Sequence, residues 1–145
     1  HPYKLGTHRH TPEIEQELSK MANNDIQVTF TPHLLPVNRG IVSTIYVDLK
    51  PEVSLDDVYQ IYQNYYSQEY FVRVLPKGKI ADLKFVKYSN FCDISLHLDE
   101  RYHRLIIVST IDNMVKGAAG QAIQNMNIMY GLEETKGLKM VPPSF

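Results

Sequence analysis

Two alternating runs, Phe91 to Leu98 and Leu105 to Thr110, flank the polar segment Asp99-Glu100-Arg101-Tyr102-His103. No other stretch constrains the fold as strongly. Alternation with period two sends successive side chains to opposite faces, and two such runs joined by a short polar segment predict a β-hairpin. Further strands are predicted at Ile26 to Phe30, at Ile41 to Leu49, where Ile41, Ser43, Ile45, Val47 and Leu49 share a face, and at Tyr70 to Leu75 before Pro76-Lys77-Gly78. Strands that alternate, rather than being apolar throughout, belong to an antiparallel or mixed sheet with one face covered by helices. The helices are predicted at Pro12 to Ala22, ending at Asn23-Asn24-Asp25, at Leu55 to Tyr66, and at Asn113 to Tyr130, with an irregular tail after Gly131. Ser54 caps the second, Asp56 and Asp57 lie in its first turn, and Leu55, Val58, Tyr59, Tyr62, Tyr65 and Tyr66 form a stripe that reads as core or subunit contact. The element order is α-β-β-α-β-(β)-β-β-α, an α+β fold.

The 145 residues, 43% hydrophobic, suffice for one domain with a real core. A net charge of -1 argues against nucleic acid or an anionic membrane as partner. No apolar run has bilayer-spanning length and no signal peptide is visible. A single cysteine excludes an internal disulfide framework and fits a reducing cytoplasm. The start at His1-Pro2 reads as a piece of something longer.

The chemistry concentrates in Thr7-His8-Arg9-His10-Thr11-Pro12-Glu13-Ile14-Glu15-Gln16. Pro12 suits the first helical position, Thr11 is the expected N-cap, and Glu13 and Glu15 complement the helix dipole. Ile14, Leu18, Met21 and Ala22 continue at helical spacing. His10 is thus expected at a helix N-terminus, where an anion is favoured and an imidazole exchanges protons near neutral pH. A solvated loop is the bland alternative. A metal site with His33 as third ligand beside His8 and His10 is another, though His-x-His without an Asp or Cys partner is a weak zinc pattern.

Cys92 shares its strand face with Ile94, Leu96 and Leu98, where a thiol is inert, so it is read as structural. His97 falls with Asp93 and Ser95 on the polar face, toward solvent or an interface. The loop Thr31-Pro32-His33-Leu34-Leu35-Pro36-Val37-Asn38-Arg39-Gly40 is stiffened by its prolines. Arg39 suits bidentate grip of a carboxylate or phosphate, against the alternative of an exposed loop arginine. Gly117, Ala118, Gly120 and Ala122 open the last helix, and such small residues point to close approach by a helix, a domain or a ligand. Neither a Gly-x-Gly-x-x-Gly nor a Walker motif is present, so no phosphate-cradling loop is expected.

Four segments together resemble the N-acetyl-gamma-glutamyl-phosphate reductase family: Gly6 to Gln16, Thr31 to Ile41, Asn90 to Ile94 with Asp99-Glu100-Arg101, and Ile111 to Asn127. The resemblance covers nearly the whole chain in the family's order. It implies a fold like the C-terminal domain of glyceraldehyde-3-phosphate dehydrogenase, with residues 1–145 as one catalytic and dimerisation domain. The family's N-terminal dinucleotide-binding domain and its nucleophilic cysteine are expected outside this chain, which alone would be inactive. The implied reaction is cytoplasmic, NADPH-dependent reduction of N-acetylglutamyl phosphate to the semialdehyde in arginine biosynthesis. A thiolate expels phosphate to leave a thioester, which is then reduced. The resemblance makes His10 the acid–base group, with His8 and Glu13 as its neighbours. It leaves Arg9 and Arg39 for the anionic substrate and Asn113 near the nicotinamide, makes Gly117 and Gly120 a docking surface for the nucleotide domain, and calls for no metal. A homo-oligomer, dimer or tetramer, is expected. The alternatives are the oligomerisation and substrate domain of a related semialdehyde dehydrogenase, or a non-catalytic histidine-based metal-binding module.

Overall fold

In the computed structural model, which describes residues 1–142, the hairpin forms as expected. β3 (Cys92–Asp99) and β4 (Arg104–Ile111) pair antiparallel, from Cys92 opposite Ile111 to Asp99 opposite Arg104. β1 (Ile41–Asp48) joins β4 antiparallel, and β2 (Val72–Val74) joins β3 in parallel, giving the mixed order β1-β4-β3-β2. The α+β sheet is therefore the one expected. A parallel neighbour requires a long crossover, here residues 75–91 with a 3₁₀ turn at Leu83–Phe85. That turn stands where the order allowed an extra strand.

Helix α2 (Leu55–Tyr66) begins with a complete capping box, Ser54 Oγ accepting from Asp57 N while the Asp57 carboxylate accepts from Ser54 N. Its Val58 and Tyr59 enclose, with Ile94, Leu96, Leu105 and Ile107, the principal apolar core. The Tyr59 hydroxyl donates to Leu96 O at 3.3 Å. Tyr62 and Tyr66 border this core, while Tyr65 is exposed.

The opposite sheet face differs from expectation. Asp93, Ser95 and Thr110 are buried, not solvated, because the crossover runs over them. Ala81 N donates to Ser95 Oγ, and Arg73 holds the Asp93 carboxylate through Nε and Nη2 while also donating to Phe85 O. His97 is half-buried with Nε2 3.1 Å from Ser95 Oγ, neither fully solvent-facing nor free. Every residue of β1, by contrast, is exposed on both faces, including Ile41, Val42, Ile45, Tyr46 and Val47.

The last helix does not start as a plain α-helix. A π-helical turn (Val115–Ala119) precedes α3 (Gly120–Met129). A Cβ on Gly120 would meet Asn90 Oδ1 inside contact distance and lie 2.7 Å from Val115 Cγ1. Asn90 is itself buried and donates to Gln124 Oε1 at 2.8 Å. Gly120 thus serves packing within the chain rather than an outward docking surface, whereas Gly117, Ala118 and Ala119 are exposed.

By contact pattern, residues His1–Val37 form one compact unit and Asn38–Phe145, which holds the sheet, another. The first is built on α1 (Thr11–Ala22). Its N-cap is His10, not Thr11, whose Oγ1 is buried without a hydrogen-bond partner among the described residues. The stretch Ile26 to Phe30 is not a strand. Side chains of α1 take its backbone donors instead, Ser19 Oγ from Ile26 N and Glu15 Oε1 from Val28 N. Those two N–H groups are thereby taken from any sheet ladder.

Candidate functional site

The first unit places His8 and His10 together. His8 is buried, its ring edge-on to Tyr3, Phe30 and His10 at centroid distances of 5.5, 5.2 and 4.9 Å. His8 Nδ1 accepts the backbone N–H of His10 at 3.2 Å. Burial first, then the positive neighbours His10, Lys4 and Arg9, pull the His8 ring below the ordinary imidazole range. His8 is therefore neutral at pH 7, with its proton on Nε2. Nitrogen NMR of the ring at pH 7 should show Nδ1 unprotonated, and His8 should titrate below about 6.5. Because the folded value is depressed, the contribution of His8 to stability is complete above about pH 6.5 and declines as pH falls through it. A His8 ring doubly protonated at pH 6.5 would remove its acceptor role.

His10 is exposed at the head of α1, and among the described residues its imidazole makes no hydrogen bond. Glu13 stands in the first turn and is exposed; it hydrogen-bonds to neither imidazole among the described residues. Arg9 is exposed as well. His33 bridges Pro2 through the backbone and turns Nδ1 toward Thr31 O at 3.1 Å. Among the described residues no three His, Cys, Asp or Glu side chains are grouped to hold a metal, so the His8, His10 and His33 cluster does not form.

The second unit holds Arg39, and it is no free loop arginine. Its Nε donates to Asp112 Oδ2 at 2.5 Å and its guanidinium lies 4.4 Å from the centroid of the Tyr88 ring. Asp112 is fully buried and also accepts from the backbone N–H groups of Tyr88, Met114 and Val115 at 2.7–2.8 Å. Burial would push its carboxyl up, but Arg39 and these backbone donors hold it at about 2. Asn113 Oδ1 accepts from Gly40 N at 2.7 Å, pinning the end of the Arg39 loop to the segment that starts the last helix. Asp112 and Tyr88 were not singled out in the sequence. The Asp-x-x pattern before a helix was the available signal for Asp112, and nothing local marked Tyr88. Cys92 is half-buried beside Ser109, and burial pushes its thiol up, as its strand face implied.

The mixed four-stranded sheet with its helices is a fold shared with a solved semialdehyde dehydrogenase. The crystal structure of aspartate semialdehyde dehydrogenase II from Vibrio cholerae shares it, with a TM-score of 0.65 at 17% identity over 85% of this chain and 37% of that one. Residues 1–113 match the family described as semialdehyde dehydrogenase, dimerisation domain, and the chain belongs to that family. Proteins named N-acetyl-gamma-glutamyl-phosphate reductase are similar along almost its entire length: 65% identical in Brachyspira hyodysenteriae over 99% of this chain, and 58% identical in Clostridium botulinum over 99%. The chain spans about two fifths of these relatives, 41% and 42% of their respective lengths.

Proposed function

We propose that this chain is the C-terminal catalytic and dimerisation part of a cytoplasmic, NADPH-dependent N-acetyl-gamma-glutamyl-phosphate reductase of arginine biosynthesis. The observation that carries this reading is the 65% identity maintained over 145 residues to a relative of that name. His10, unencumbered at the head of α1, protonates the oxygen of the forming aldehyde and accepts the proton in reverse. His8, neutral and bonded to the His10 backbone, fixes the turn that presents it. Glu13 adds negative charge to the first turn of α1. Arg9 and Arg39 attract the substrate's anionic groups.

The residues present fit a nicotinamide. Asn113 is only partly buried and commits Oδ1 to Gly40, which leaves its Nδ2 donors to hold the carboxamide. The cofactor supplies hydride, and the dinucleotide fold and reactive thiol belong to a preceding domain. The exposed apolar strand β1 supports assembly with a second copy, since an edge of this kind is stable in water only when covered.

The test is an NADPH-oxidation assay of the longer polypeptide with N-acetylglutamyl phosphate and with aspartyl phosphate. A kcat/KM at least about 10²-fold higher for the acetylated substrate is expected. The reverse preference would make the protein an aspartate-type enzyme, and activity on neither would end the reductase reading. Sedimentation of the same polypeptide should show a dimer or tetramer.

A further inference from the structure

The surroundings of Arg39 contain more than a salt bridge needs. The guanidinium is fixed twice, by Asp112 on its Nε edge and by the Tyr88 ring on its face. Neither Nη has a hydrogen-bond partner among the described residues, and one fifth of the side chain remains exposed. The Asp112 carboxylate is shared with three backbone N–H groups, so it orients Arg39 without saturating its charge. Tyr88 adopts φ +62°, a backbone conformation that side-chain-bearing residues rarely take. Its N–H goes to the same Asp112 oxygen that holds Arg39. Gly40 at φ +113° and Asn113 Oδ1 anchor the loop behind the arginine. A purely structural ion pair requires neither an aromatic platform in a rare conformation nor an open donor edge. The free Nη edge presents parallel N–H donors that match the two oxygens of a phosphoryl or carboxylate group.

We propose that Asp112 and Tyr88 are positioning residues that hold Arg39 as a pre-aligned fork for an oxyanion of the substrate, a phosphoryl group or a carboxylate. The identity of the substrate rests on the reductase reading above; the anion chemistry does not.

The experiment uses the longer enzyme with Arg39→Lys, Asp112→Asn, Tyr88→Leu and the Arg39→Lys/Asp112→Asn pair. Each single variant should raise KM for the acyl phosphate about tenfold, the worth of one charge-assisted hydrogen bond, with kcat changed less than about threefold. The double variant should be no worse than Arg39→Lys, because Asp112 acts through Arg39. Additive losses in the double variant, or an unchanged KM in an active enzyme, overturn the proposal. Tyr88 is half exposed, so Tyr88→Leu keeps the test readable if Asp112→Asn fails to fold. Thermal melting with inorganic phosphate or N-acetylglutamate gives a readout independent of activity. At least one should protect the native enzyme and lose its effect in Arg39→Lys. Protection by phosphate assigns the fork to the phosphoryl group, and protection by N-acetylglutamate alone assigns it to a carboxylate. If neither protects, the fork is refuted even in an active reductase; if the enzyme is inactive, protection alone decides the matter.

Discussion

Under the proposed acid–base role, replacing His10 by Asn in the longer enzyme should lower kcat by about 10²- to 10⁴-fold, the usual contribution of a positioned acid–base group. The substitution isolates proton transfer from structure. His10 is the N-cap of α1; its side chain makes no cap hydrogen bond, and its ring meets the His8 ring edge-on. Asn is among the best N-cap residues, and the helix keeps or gains stability. Thermal melting should change little while turnover collapses. Turnover within a few-fold of the native enzyme would remove His10 from the reaction.

Asp112→Ala should destabilise the fold by about 3 kcal/mol, at the lower end of the cost of breaking a buried ion pair, because Arg39 retains one fifth of its surface in water. Three backbone N–H groups and the Nε of Arg39 lose their acceptor together. Urea unfolding of native and variant protein measures this as a lower midpoint at similar slope. The pH dependence carries a matching signature. The folded carboxyl sits at about 2 against an unfolded value of 3.8, so the unfolded chain binds the proton first. The stabilisation is complete above about pH 5 and is lost as pH falls through 3.8 toward 2. In the Ala variant that part of the acid sensitivity should be missing. An equal loss of stability across the acid range in both proteins would mean that Asp112 is not held as its partners indicate.

The sheet was legible because its signals are local. The β3–β4 hairpin follows from alternation on either side of a short polar segment, and α2 from Ser54 three residues ahead of Asp57. Ile26 to Phe30 has the same alternation, yet Ser19 and Glu15 of a neighbouring helix take two of its backbone N–H groups, an arrangement that no strand pattern encodes. Asp93 and Ser95 look like a solvent face until the crossover demanded by the parallel β2–β3 pair is laid over them. The histidines were found from their place before Pro12. The partner that organises Arg39 lies 73 residues away in sequence, beyond the reach of any spacing rule. Gly120 was noticed for its cost in helix propensity, but its reason, the close approach of Asn90, appears only in three dimensions.

The order of β1 in the sheet also bears on how the polypeptide matures. Among the described residues β1 pairs with β4 alone, and Asp48 meets Arg104 across 56 residues of chain. At about 5–20 residues per second, the ribosome delivers that partner roughly 3–11 s after β1 has been made. For that interval the β1 backbone emerges with no ladder partner, while Ile41, Ile45 and Val47 stay exposed even after β4 has paired. The nascent protein is therefore open to aggregation and chaperone capture between the synthesis of β1 and that of β4, and translation slowed between the two strands would lengthen that window.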